Sequence, residues 1–98
     1  MDYRLVWTEE AIHNLDDILN YLIDKWSQRE VDSFKSKLSH QLDLILKFPK
    51  MFPASDYIPT FRKAVLSKQT TVFYQIRENY IYLVYLFVNR RDIKNIKR

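Results

Sequence analysis

Phe61-Arg62-Lys63-Ala64-Val65-Leu66, Thr71-Val72-Phe73-Tyr74-Gln75-Ile76 and Tyr80-Ile81-Tyr82-Leu83-Val84-Tyr85-Leu86-Phe87-Val88 follow one another with only short polar breaks between them. Each run is dense in aromatic and β-branched residues, which suit a pleated, half-buried surface, so the stretch predicts three successive strands over about 61–67, 70–77 and 80–88. The breaks, Ser67-Lys68-Gln69-Thr70 and Arg77-Glu78-Asn79-Tyr80, read as tight turns. Asn79 is the best available residue for a positive φ in a chain without glycine. The last run is apolar on both phases, which marks a central strand with covered neighbours.

Upstream of the strands the period changes from two to 3.6. Tyr3-Arg4-Leu5-Val6-Trp7 is a short strand stopped by Thr8, a plausible N-cap. Glu9 and Glu10 then occupy a first helical turn, where the helix dipole favours acids. Ala11, Ile12, Leu15, Ile18, Leu19, Leu22 and Trp26 recur at helical spacing, giving an amphipathic helix over about 8–25 with Glu10, Asn14, Asp17, Asp24 and Lys25 on its polar side. Ser27-Gln28-Arg29-Glu30 fits a capping box, so a second helix begins at once, runs over about 28–48 along Val31, Phe34, Leu38, Leu42, Ile45 and Phe48, and ends before Pro49. Pro49 to Pro59 has no regular period and serves as a linker. The expected class is α+β, in the order β-α-α-β-β-β, with a helical hairpin on a small, mainly antiparallel sheet.

Composition narrows the functions available. Ninety-eight residues, 47% of them hydrophobic, suffice for a single domain over 1–98 with one core. Without cysteine there are no disulfides, thiol nucleophiles or thiolate zinc sites. Without glycine there are no glycine-rich phosphate loops, so no nucleotide cofactor is expected. The N-terminus lacks a signal-peptide core and the longest apolar run is too short to span a bilayer as a helix, so the expectation is a soluble, cytoplasmic protein with no membrane partner. From Thr60 to Arg98 nine Lys or Arg oppose two acids, a net of +7, whereas the first 59 residues carry a net of −3. Such asymmetry points to nucleic acid or an acidic protein segment as partner, against the plainer reading of a solvated charged face.

Taken in order, Tyr3-x-Leu5-x-Trp7-Thr8-x-x-Ala11 with Leu15 and Ile18, Phe48-Pro49, Phe61-Arg62-Lys63-Ala64-Val65, Thr71-Val72-Phe73-Tyr74-Gln75-Ile76 and Phe87-x-Asn89-Arg90-Arg91 make the chain resemble the RelE/ParE superfamily of toxins from bacterial type II toxin–antitoxin systems. The resemblance implies a twisted sheet on a helical hairpin and a cognate antitoxin that wraps the toxin. It also implies one of two targets. RelE-like members cut messenger RNA on the ribosome, and ParE-like members poison DNA gyrase. Cleavage by the 2′-hydroxyl needs a base, cations for the phosphorane and an acid for the leaving oxygen. RelE-like enzymes supply these with Lys, Arg and a C-terminal Tyr. Here Thr71 stands where such enzymes place an Arg, and no tyrosine follows Tyr85. The ParE-like alternative makes no such demand and fits Asn89-Arg90-Arg91-Asp92, so gyrase poisoning without enzymatic activity is the favoured expectation. An RNA-cleaving toxin and an inactive antitoxin-binding module are the alternatives.

The expected target-binding residues are Arg62, Lys63, Arg90 and Arg91, and the cations of a nuclease would be Lys63, Lys68, Arg90 and Arg91. Arg62 and Lys63, being adjacent in a strand, face opposite ways, so at most one is expected to share a surface with Arg90 or Arg91 and the other to make only a structural ion pair. Lys68 and Arg77 fall at hairpin ends, where solvation competes with binding. Tyr74, Tyr80, Tyr82 and Tyr85 either stack on bases or pack the sheet. Trp7 and Trp26 read as core or rim, with Trp26 a possible antitoxin contact. His13 and His40 lie off the apolar stripes without companions at ligand spacing, and Asp16, Asp17, Asp24 and Asp32 do not converge, so no metal is expected.

Overall fold

The computed structural model describes residues 2–89. They form β1 (Arg4–Trp7), α1 (Glu9–Lys25), α2 (Gln28–Lys47), β2 (Arg62–Val65), β3 (Thr70–Arg77) and β4 (Tyr80–Val88). The order is the expected β-α-α-β-β-β. The sheet runs β1-β4-β3-β2, with β1 parallel to β4 and the other neighbours antiparallel. β4 is therefore central, as its two-phase apolar pattern implies.

Both helices lie on one face of this sheet. Ala11 and Ile18 of α1 and Leu38 and Ile45 of α2 share a buried cluster with Ala64, Val72, Tyr74, Ile81, Leu83 and Leu86. Ile45, Ile81, Leu83 and Val72 are fully buried, and each contributes about 1.5–3 kcal/mol to folding. Periodicity overreached at three positions: Ile12, Trp26 and Phe48, assigned to the apolar stripes, are 45%, 37% and 55% exposed.

Register in β4 breaks at one point. Phe73 pairs with Tyr85 but Tyr74 pairs with Leu83, so Val84 is an extra residue that shifts the phase of the strand. Ile81 and Leu83 face the helices before the bulge, and Leu86 after it. Tyr80, Tyr82, Tyr85 and Phe87 are thereby gathered on the opposite face.

β1 is too short to pair with all of β4, and α1 completes the ladder with side chains. Thr8 Oγ1 accepts from the Ala11 amide at 3.1 Å as the N-cap, and its hydroxyl reaches the Leu83 and Val84 carbonyls at 2.7 and 3.0 Å. Asn14 Oδ1 accepts from the Leu86 amide at 3.0 Å, while its Nδ2 donates to Glu10 at 2.8 Å. Asn14 is thus half-buried against the sheet and not on a solvated face, because a strand edge left unpaired in the interior needs a partner.

Three local expectations need correction. α2 begins where expected, but the Ser27 hydroxyl donates to Glu30 Oε1 at 2.5 Å and makes no bond to the helix backbone. The charged carboxylate takes the hydroxyl in place of the amide. At the β3–β4 turn it is Glu78, not Asn79, that carries the positive φ, at 57°. Arg77 pairs with Tyr80 across a two-residue loop, and a single positive φ at its first position is the type II′ pattern. The Pro49–Pro59 linker also does more than connect. Ser55 N–H donates to the Phe61 carbonyl at 2.7 Å, Lys63 N–H donates to the Pro53 carbonyl at 2.9 Å, and Ala54 bridges Arg62. The linker so covers the outer edge of β2, which would otherwise expose unpaired backbone groups.

Candidate functional site

Arg62 and Lys63 point to opposite sides of the sheet and into different environments. Arg62 pairs with the buried Tyr74, and its guanidinium donates to the Phe52 carbonyl at 2.7 Å and the Lys50 carbonyl at 3.3 Å. Tyr74, 0% exposed, donates to the Pro49 carbonyl at 2.5 Å. Burial pushes the Tyr74 phenol up to about 12, with the Arg62 charge acting the other way. These two side chains hold the start of the linker by its carbonyls, so Arg62 is engaged inside the fold. Lys63 pairs with Phe73 on the open face and meets the exposed Asp56 at 3.6 Å. Lys68 is exposed in the β2–β3 turn. Arg90 and Arg91 lie outside the described residues. Among the described residues, then, the expected cations do not share one surface: Arg62 is bound to the linker, Lys63 is on the open face and Lys68 is at the far end of β2.

The open face holds residues the sequence reading did not combine. Tyr80 stands opposite Arg4 in β1 and Arg77 in β3, so an exposed tyrosine has an arginine at its cross-strand position on either side. The Arg77 guanidinium lies 5.9 Å from the Tyr82 ring centroid, within cation–π reach, and the Tyr80 and Tyr82 rings are 6.2 Å apart. Farther along, Phe73 and Tyr85 stack with centroids 4.6 Å apart and 18° between planes. Arg4 could not be placed here from sequence, because the parallel pairing of β1 with β4 is a tertiary fact. Of the four tyrosines considered as stacking groups, Tyr74 belongs to the core and Tyr80, Tyr82 and Tyr85 to this face.

A second feature opens on the other side. Between the helical hairpin and the β2–β3 turn lies a groove of about 360 Å³, lined by the apolar Ile18, Leu22, Phe34 and Leu66 together with Trp26, Asp17, Glu30 and Lys37. Trp26 is 37% exposed there, which places it at the rim.

Several solved structures share this architecture. The chromosomal ParDE toxin–antitoxin system of P. aeruginosa matches with a TM-score of 0.74 at 15% identity, over 88% of this chain and 95% of that one. The RelBE2 toxin–antitoxin complex of Mycobacterium tuberculosis matches at 0.61 and 12% identity, covering 91% and 100% of the two chains. The E. coli DinJ–YafQ toxin–antitoxin complex matches at 0.63 and 10% identity, covering 93% and 97%. At these identities the likeness establishes the fold, that of the RelE/ParE-like toxins. Among curated protein sequences none matches. Residues 5–93 match the family described as ParE toxin of type II toxin-antitoxin system, parDE, and the chain belongs to that family. It is a ParE-family toxin of a type II toxin–antitoxin system.

Proposed function

We propose that this toxin arrests growth by poisoning DNA gyrase and is held inactive by a cognate antitoxin. Membership of the ParE family over residues 5–93 is the observation that carries this reading. The placement of side chains supports it. Among the described residues, a nuclease would have to work with Lys63 and Lys68 at separate places, and Tyr74 is unavailable as an acid because it is buried and committed to the Pro49 carbonyl. Thr71, at the position where the resemblance puts an Arg in RNA-cleaving members, pairs with Phe87 on the open face and brings a hydroxyl in place of a guanidinium. His13 and His40 are both exposed on helices away from that face.

Toxin–antitoxin complexes among the structural neighbours support an antitoxin as partner. The groove beside Trp26 fits an amphipathic antitoxin segment: apolar lining residues for burial, and charged ones of both signs for polar contacts that fix its register. Lys63, with Arg90 and Arg91 beyond the described residues, is assigned to the target side.

Gyrase supercoiling and cleavage assays with the purified toxin test the reading. Accumulation of cleaved DNA is expected, reversed by antitoxin. Unchanged supercoiling and cleavage at high molar excess of toxin would end it. Primer extension on messages from induced cells covers the alternative, since codon-phased cuts would identify a ribosome-dependent endoribonuclease.

A further inference from the structure

Apart from Phe73, which is buried, the aromatic open face is used neither by the core nor by the groove. Its strand positions carry no carboxylate: Arg4 and Val6 on β1, the four aromatics on β4, Thr71, Phe73, Gln75 and Arg77 on β3, and Lys63 and Val65 on β2. Among the described residues the ion pair involving this face is that of Lys63 with Asp56, so neither Arg4 nor Arg77 is neutralised by an acid. Tyr80 is 39% exposed at a strand position between Arg4 and Arg77, and the Arg77 guanidinium lies 5.9 Å from the neighbouring Tyr82 ring. The Tyr85–Phe87 end differs, because Glu10 and Asp17 of α1 border it. The cationic and stacking groups are therefore concentrated at the end of the sheet where β1 starts and β3 turns into β4.

From this arrangement we infer that the open sheet face binds single-stranded DNA, with Tyr80 and Tyr82 stacking on bases and Arg4 and Arg77 on the flanking phosphates. A duplex hides its base faces inside the stack, so rings standing out from a sheet have nothing to meet there. A single strand offers a face at every base, and stacking needs no particular sequence. Arginines at the strand positions on either side of a tyrosine suit a backbone that passes its phosphates along both flanks of a stacked base. An acidic peptide would satisfy the two arginines but would leave the paired rings without partners. The choice of DNA over RNA rests on the gyrase reading, in which the toxin works where DNA strands are opened and cut.

The test is fluorescence anisotropy of the full chain with a labelled single-stranded DNA 16-mer, its duplex and the RNA of the same sequence, at low and physiological salt. The expected result is single-strand binding with a Kd of about 1–100 µM at physiological salt, weakening as salt rises with the slope of two to three phosphate contacts, about −1.5 to −2. Tyr82→Leu and Tyr80→Leu should each weaken the single strand by about 5- to 100-fold and leave the duplex unchanged. Tyr82→Phe, which keeps the ring, should bind as the parent does. Both positions are on the open side of the sheet, and far-UV circular dichroism checks that each variant is folded. No binding, equal binding of duplex and single strand, or leucine variants that bind as the parent would overturn the inference. Tenfold tighter binding of RNA would overturn the assignment to DNA. Gyrase poisoning by a toxin that fails to bind the oligonucleotide would remove the platform and leave the proposed function standing. Oligonucleotide binding with gyrase untouched would do the reverse.

Discussion

Replacing Tyr74 with Phe probes the joint between core and linker with little change of shape. The ring stays, as does its edge-on contact with Phe52 at 6.2 Å and 86°, so no cavity opens. What disappears is the hydroxyl that donates to the Pro49 carbonyl at 2.5 Å. That carbonyl is left in the interior without its donor, which costs about 1–3 kcal/mol. For a domain of this size the loss lowers Tm by roughly 5–20 °C. A second, independent signature comes from pH. Burial raises the Tyr74 phenol from 10.0 to about 12, so between those values the unfolded chain releases a proton that the folded protein keeps. The stability from this group is complete below pH 10 and declines as pH rises to 12, by about 2 kcal/mol at pH 12. Tyr74→Phe lacks that decline. Urea unfolding followed by the fluorescence of Trp7 and Trp26, at pH 7 and in steps from 9 to 12, should show the parent more stable at pH 7 and its advantage shrinking across the alkaline range. An advantage that is absent at pH 7, or one that stays constant from pH 9 to 12, would refute the reasoning.

Four further outcomes follow from particular contacts. Thr8→Val keeps the shape of the side chain but removes the helix cap and the bonds to Leu83 and Val84, so thermal unfolding should show a loss of about 1–2 kcal/mol. Glu78→Asn places a residue that tolerates positive φ where the chain needs it and should raise stability by about 0.5–1 kcal/mol in the same assay. Lys63→Ala breaks an ion pair whose Asp56 partner is 85% exposed; the effect on stability should stay within about 1 kcal/mol, so any loss of growth arrest on induction reports on the target side. Trp26→Ala should weaken antitoxin binding about tenfold or more by calorimetry with Tm little changed, and undiminished affinity would move the antitoxin out of the groove.

How much of this molecule is legible in its residues depends on whether the forces are local. The helices and strands were readable because hydrophobic period, Thr8 and Pro49 act within a few residues of themselves, and the central place of β4 followed from apolar residues on both its phases. The +7 balance of the C-terminal part was also readable, since charge adds along a chain without regard to fold. The candidate site was legible only in part. That Arg62 and Lys63 face opposite ways was readable, but not which of them turns inward: Lys63 lies on the open face beside Asp56, and Arg62 is bound to linker carbonyls that only the folded chain brings within 2.7 Å. Asn14 reads as a polar-face residue until the shortness of β1 leaves an amide of β4 in need of it.

The sequence by itself determined the kind of protein this is: an α+β chain in the order β-α-α-β-β-β, basic toward its end, built without glycine or cysteine and patterned like a ParE-family toxin. Tertiary structure alone decided which side chains meet. The parallel pairing of β1 with β4 brings Arg4 beside Tyr80, residues 76 positions apart in the chain. The bulge at Val84 turns Tyr85 and Phe87 to the same face as Tyr80 and Tyr82. Strand period alone would send them to the other side. Register and pairing depend on how all the buried residues fill one core together, so no local stretch of sequence contains them.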